Sequence, residues 1–194
     1  MKLFIQFTLR VLALLLLALA TSAPAQTQED VLDFVPAQTT VHFTLDASFH
    51  TVHGSFNLKR GGVHFSPSTG AISGEIVIDA TTGQSGNDGR DRKMHKEVLE
   101  SSRYPEIVFH PDRVEGNVAP QGSSTVQVHG TFSLHGADHE MTVPVQVEMA
   151  PNGWTVTCHL SVPYVKWGLK NPSNFILHVS EAVDNDIRAS GTRH

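Results

Sequence analysis

Histidines are the residues here with the clearest capacity for chemistry. The chain has twelve of them in 194 residues, and two frame the stretch His135-Gly136-Ala137-Asp138-His139. On a helix, histidines four apart share a face and can grip a divalent metal. Here Gly136, Ala137 and Asp138 read as a hairpin turn, which would set the two imidazoles across from each other with the Asp138 carboxylate as a further oxygen. Zinc takes three protein ligands or more, and nothing else in the sequence is placed to complete the set, so no metal site is assigned. Most other histidines sort by phase. His42, His53, His64, His129, His135 and His159, and His110 if Ile107 and Phe109 point inward, alternate with apolar neighbours and so fall on the outer face of their strands. His50 stands apart, because it shares the phase of Val52 and Phe56. That phase aims it inward near a rim, within reach of a ligand head group; the plainer reading is a loop histidine satisfied by backbone or water.

Other catalytic patterns are missing. There is no G-x-S-x-G elbow, and Gly83-Gln84-Ser85-Gly86 lacks the strand-to-helix setting such an elbow needs. No phosphate-cradling or dinucleotide-binding glycine motif is present. The lone cysteine, Cys158, lies between Val156 and Leu160 on an apolar phase and reads as an inert buried thiol. Arg90 and Asp91 read as a pair anchoring the start of a helix. The sequence therefore predicts a protein that is not an enzyme and carries no cofactor. The alternatives left open are a metal- or histidine-dependent enzyme at a barrel rim, and a packed barrel acting as an interaction module. A net charge of −5, with no basic run longer than two residues, points away from nucleic acid.

The elements that must position these residues are strands. Apolar residues recur with period two around residues 41–45, 52–58, 72–78, 126–134, 141–149 and 154–162. Alternation of that kind buries one face of an antiparallel sheet and wets the other. The separators Lys-Arg-Gly-Gly, Ser-Pro-Ser-Thr-Gly, Ala-Pro-Asn-Gly and Lys-Asn-Pro-Ser-Asn are turn chemistry. The fold class predicted is all-β: an antiparallel up-and-down, lipocalin-like barrel of about eight strands. One segment breaks the pattern. From about Arg90 to Leu99 the apolar residues are Met94, Val98 and Leu99 only, at helical spacing, so a single short helix is expected to cap one end of the barrel.

A lipid-embedded barrel would carry the same alternation with its apolar face outward. The apolar runs, mostly five or six residues, are short for a spanning strand, and two Trp and two Tyr make no aromatic girdle. The apolar phase is therefore assigned to the interior, and no stable membrane insertion is expected. A ligand chain along the axis would be lined by Phe43, Phe56, Ile76, Ile78, Phe109, Phe132, Val145 and Val156, with Met94 and Val98 above it and His50 at the rim. Gly54, Gly74 and Gly130 fall on the inward phase and are expected to leave room, Gly130 in particular.

The N-terminus reads as a targeting segment. Lys2 and Arg10 precede the apolar run Val11–Ala20, and Ala23-Pro24-Ala25 fits a cleavage site. Residues 1–25 are thus expected to be a cleaved secretory signal peptide, and residues 26–194 one domain, in the periplasm or outside the cell. The sequence leaves the oligomeric state open, a homodimer included.

Three stretches together carry a family likeness. Gly89 to Pro111 contains Arg90-Asp91, the helix positions Val98 and Leu99, Ser101, then Tyr104-Pro105 before a strand bearing Phe109. Val52-His-Gly-Ser-Phe56 supplies a Gly-x-Phe element, and Val128 to Val147 a strand–turn–strand hairpin. In this order, over about residues 33–190, the chain resembles the YceI-like, polyisoprenoid-binding family. It departs from the family in the segment 164–187, which is longer and more polar. The resemblance implies a periplasmic, lipocalin-like barrel that holds a long isoprenoid or similar apolar lipid for transport, storage or sequestration.

Overall fold

In the computed structural model, which describes residues 29–194, nine strands form one antiparallel sheet: β1 (Asp30–Phe34), β2 (Thr40–Ala47), β3 (His50–Phe65), β4 (Ile72–Gln84), β5 (Glu106–Glu115), β6 (Gly122–Leu134), β7 (Ala137–Ala150), β8 (Gly153–Val162) and β9 (Val183–Arg193). The expected signal segment lies outside the described residues. Strands β2 to β9 pair each with the next, and β9 returns to β2 (Val41 opposite Ile187), so eight strands close into a barrel. The up-and-down reading holds, because each strand from β2 to β9 pairs with the next in sequence, whether a hairpin or a longer excursion joins them.

Three features of the sheet differ from the sequence reading. The apolar alternation in the sequence begins only around residue 41, yet β1 is a ninth strand, pairing with the far ends of both β3 (Asp30 opposite Phe65) and β9 (Leu32 opposite Arg193). It seals the seam that β2, which begins only at Thr40, is too short to close. Asp30 is buried there and takes two hydrogen bonds of 3.0 Å from the Arg193 guanidinium. Second, Lys59-Arg60-Gly61-Gly62 is not a turn. β3 runs straight through it, and Gly61 is the residue over which the Phe34 ring lies, within 3.0 Å of where a Cβ would stand. Third, β2 to β9 run from 8 to 16 residues, so strand length cannot argue against a membrane barrel. Polarity decides instead. The outer face of β3, β4 and β5 carries Lys59, Arg60, Glu75 and Glu106 in a salt-bridged cluster, the reverse of a lipid-facing surface. Hydrogen bonds from Arg60, then from Lys59, hold the Glu106 carboxyl at about 2.

The helix starts a little earlier than its apolar spacing predicts. Asn87 caps it, its side chain accepting from the Arg90 amide at 3.0 Å, and α1 spans Asp88–Lys93. Met94–Val98 then widens into a π-turn, with the Leu99 amide donating to the Met94 carbonyl at 2.9 Å. The wider turn keeps Met94, Val98 and Leu99 together above the barrel. His95 fastens it below: its Nε2 lies 2.8 Å from the Gly83 carbonyl oxygen, so Nε2 donates, and Nδ1 accepts from the buried Ser101 hydroxyl at 2.9 Å.

The histidine pair of the β6–β7 hairpin is also placed differently. His135 (φ 53°) and Gly136 (φ 78°) are themselves the two-residue turn, both in the left-handed conformation of a type I′ hairpin. Ala137 to His139 already belong to β7. His135 packs against Tyr104, ring centroids 4.4 Å apart, while His139 stacks on Trp167 at 4.1 Å. The two imidazoles serve different aromatic neighbours, and no cluster of three metal-ligating side chains occurs among the described residues.

Candidate functional site

The lumen has two chambers that share the walls Phe56, Ile107, Phe132, Val162 and Asn185. The lower one, of about 220 Å³, is lined by side chains such as Ile76, Ile78, Phe109, Val145 and Val156, with Thr39 and Asn185 its only oxygen-bearing side chains. The upper one, of about 560 Å³, lies beneath α1 and is lined by Phe43, Val52, Met94, Val98, Leu99 and Leu169. Period two explains the lining: the barrel curves every strand the same way, so one phase converges on the axis.

The residues expected at the site divide between the chambers. Ile76, Ile78, Phe109, Val145 and Val156 line the lower chamber, Phe43, Met94 and Val98 the upper one, and Phe56 and Phe132 the waist between them. His50 is exposed at the upper rim and borders that chamber. Gly130 lines neither. A Cβ there would fall 2.3 Å from the His110 carbonyl oxygen and 2.9 Å from the Phe109 ring, beside the bulge of β5 at Pro111–Arg113. Gly54 and Gly74 behave alike: a Cβ would stand 2.2 Å from the Phe43 ring at the first and 2.2 Å from the Gly62 carbonyl oxygen at the second. These glycines admit a neighbour's ring or backbone and leave no free space. The room comes instead from medium-sized Val and Ile side chains that stop short of the axis.

Several site residues escaped the sequence reading. Ser85, Asn87, Arg90 and Lys93 border the upper chamber, and no acidic residue does. Arg90 and Asp91 do not pair directly. Ser85 joins them: its hydroxyl and carbonyl accept from Arg90 Nε (2.7 Å) and Nη2 (2.8 Å), while its amide and hydroxyl donate to the Asp91 carboxylate. A segment between β8 and β9, residues 163–182, forms the opposite lip. Lys93 Nζ reaches its Pro172 carbonyl at 3.0 Å, and Lys170 pairs with Glu97 at 2.7 Å. Tyr164 is buried in this lip and donates to the Ser180 carbonyl at 2.7 Å; burial pushes its phenol up to about 12. The Pro and Asn signals of Lys170–Asn174 marked the loop, but nothing in them told that it folds back over the lumen. Cys158 is more than a core thiol, since it faces the lower chamber. Burial, with the Asp186 charge adding a little, raises it to about 11.

A closed barrel with one short helix over its mouth has counterparts among known proteins. Residues 32–190 match the YceI-like domain. No curated protein sequence matches the chain. Among solved structures, BcnA of Burkholderia cenocepacia superposes with a TM-score of 0.68 at 18% identity, covering 82% of this chain and all of that one. A polyisoprenoid-binding domain from Saccharophagus degradans, implicated in plant cell wall breakdown, gives 0.67 at 18% identity over 82% of this chain and 97% of its own. The YceI protein of Campylobacter jejuni gives 0.60 at 13% identity over 75% and 86%. At these identities the structural likeness is one of fold, and it matches the closed barrel and its single helix. The family match spans most of the chain, and with it the protein belongs to the YceI-like family.

Proposed function

We propose that this protein is an exported binding protein, working in the periplasm or outside the cell, that encloses one long apolar lipid chain, isoprenoid or similar, along its barrel axis. The observation that carries the reading is the pair of stacked chambers: an apolar lower one that shares the walls Phe56 and Phe132 with a larger one, whose charged side chains, Arg90 and Lys93, stand at its rim. Hydrocarbon fits below the waist, and a polar head fits where His50, Asn87, Arg90 and Lys93 border the mouth. The description of the Saccharophagus relative as polyisoprenoid-binding supports the same ligand class.

Burying one methylene is worth about 0.8 kcal/mol, and immobilising a ligand costs at least about 4 kcal/mol. A chain of about fifteen carbons is therefore the shortest that the lumen would hold with micromolar affinity by its walls alone. The test is mass spectrometry of an organic extract from protein exported by its own host and purified without detergent. One lipid per chain, bearing a chain longer than that, is expected. Protein that emerges empty and takes up no polyprenyl lipid after delipidation refutes the reading. Intact mass in the same experiment checks export, which requires a mature chain beginning at Gln26.

A further inference from the structure

Three large apolar side chains of the described residues stand in water: Phe49 (72% exposed), Ile176 (74%) and Phe175 (fully exposed). Phe49 is far in sequence from the other two, yet all three share one ribbon. Ala47 bridges Val179 in antiparallel register, the Ser48 amide donates to the His178 carbonyl at 2.9 Å, and the His178 amide donates to the Ser48 hydroxyl at 3.1 Å. Phe49 thus sits at the tip of the β2–β3 turn alongside the tip that bears Phe175 and Ile176. Asn174 fixes that second tip, its side-chain oxygen accepting from the amides of Ile176 and Leu177 at 2.9 Å each. The inner side of the same ribbon, Ala47, His50, Leu177 and Val179, lines the upper chamber.

Charge at this end differs from the rest of the molecule. The two long connections that frame the mouth, residues 85–105 and 163–182, hold seven Lys and Arg against five Asp and Glu, a balance of +2; the rest of residues 29–194 holds five against fourteen, a balance of −9. Several of the acids are spoken for: Glu97 is paired with Lys170, Glu100 lies 4.0 Å from Arg103, and Asp91 is bound to Ser85. Arg92, Lys93, Lys96 and Lys166 make no ion pair among the described residues.

We infer that this lip is a docking surface for an anionic lipid bilayer, which seats the mouth of the lumen against the membrane. Exposed aromatic and aliphatic tips that enter the headgroup region, on a lip whose cations meet anionic lipid, form the combination peripheral proteins use. Large apolar side chains exposed on two neighbouring tips mark an interaction site, and the local positive balance on an acidic protein selects an anionic surface over a second copy of the same lip. Docking of the lip does not depend on what the lumen carries, and vesicles test it separately.

The mature chain, lipid-loaded and delipidated, is sedimented with vesicles of phosphatidylglycerol and phosphatidylethanolamine in equal parts, and with vesicles of phosphatidylcholine alone. Binding to the first set is expected, weakening with salt, with little binding to the second. Phe175→Ser combined with Ile176→Ser should weaken it about tenfold or more, since both side chains leave water only on the membrane. Lys166→Ala should weaken it about fivefold, the value of one cation near an anionic surface. Both changes lie on exposed side chains, and an unchanged thermal midpoint verifies the fold. No sedimentation with anionic vesicles, or equal sedimentation of the double variant, overturns the inference. So does a concentration-dependent dimer that the double variant abolishes and vesicles do not compete away, because the occupant would then be a second copy.

Discussion

Cys158 offers a direct probe of the lumen. Its thiol faces the lower chamber and is raised by burial to about 11, against an ordinary value of 9.0. At pH 8 about one native molecule in a thousand then carries a thiolate, compared with about one in ten for the unfolded chain. That hundredfold deficit is partly offset, because a thiolate of higher pKa is the better nucleophile. With a Brønsted coefficient near 0.4–0.5, two units of pKa return roughly a factor of ten. Alkylation by iodoacetamide at pH 8 should therefore be about tenfold slower than in denaturant from ionisation alone. Above pH 9 the two profiles separate: the unfolded rate levels off, whereas the native rate keeps climbing about tenfold per pH unit towards 11. A lipid in the lower chamber should slow the native reaction further, so loaded and delipidated protein should differ. A native profile that levels off near pH 9 would refute the burial argument. Equal rates with and without lipid would show that the ligand does not reach Cys158. Stability follows the same sign. Because the folded pKa is raised, the stabilisation is whole below about pH 9, where both states hold the proton, and is lost between about 9 and 11 as the unfolded chain ionises first; on the order of 2 kcal/mol is at stake.

Four further outcomes are expected. His95→Ala strips the buried Ser101 hydroxyl and the Gly83 carbonyl of their partner, costing about 1–3 kcal/mol in urea unfolding, with faster hydrogen exchange concentrated over residues 88–101. Arg193→Met leaves the Asp30 carboxylate buried without its cation and should cost about 3 kcal/mol; an unchanged urea midpoint would mean that β1 does not seal the seam. Val98→Glu places a carboxylate over the upper chamber and should empty the lumen by mass spectrometry, while Thr157→Glu, exposed on β8, should leave occupancy intact. Glu106, held at about 2 chiefly by Arg60, should titrate by carboxyl NMR near that value and move up in Arg60→Ala. Because its folded pKa is lowered, what it contributes is present above about pH 4.5 and fades as the pH falls towards 2.

The barrel and its apolar lumen were legible because both rest on period two, a local signal. Once Phe43, Phe56, Ile76 and Phe132 share an inward phase, closure brings them together whatever the register between strands. Signals that depend on a neighbour were not legible. A glycine on the inward phase shows a missing side chain but not the Phe43 ring or His110 carbonyl that occupies its place, so Gly54 and Gly130 misled. Lys-Arg-Gly-Gly has turn composition, and only the passage of Phe34 over Gly61 explains why a strand needs glycine there. Strand β9 hides its pattern behind Asn185, a polar residue on the inward phase between Val183 and Ile187. The polar rim of Ser85, Asn87, Arg90 and Lys93 was hidden for the same reason, since it exists only once α1 lies across the lumen.

The two ends of the barrel are built differently. At the lower end Trp154, Met149 and Ala189 are buried together, the Phe34 ring meets Trp154 edge-on at 4.6 Å, and the indole donates to the Thr192 carbonyl at 3.0 Å. The connections there are short, and β1 is locked across them by Asp30 and Arg193. Opening that end means breaking a buried aromatic cluster and a buried ion pair at once. At the upper end two exposed polar contacts join the helical cap to the 163–182 lip, the Lys170–Glu97 pair and one hydrogen bond from Lys93, and Val98 and Leu99 pack against a core cluster that includes Tyr164 and Leu169 of that lip. Exposed ion pairs of this kind are worth about 0–1 kcal/mol each, so the packing of Val98 and Leu99 is the larger part of what holds the cap down. The large chamber lies behind the helical cap, and the small chamber behind the Trp154 cluster and the Asp30–Arg193 pair. A lipid bound as proposed, with its head at the polar rim, would enter tail first past Met94 and Val98 and rest its head where Arg90 and Lys93 stand.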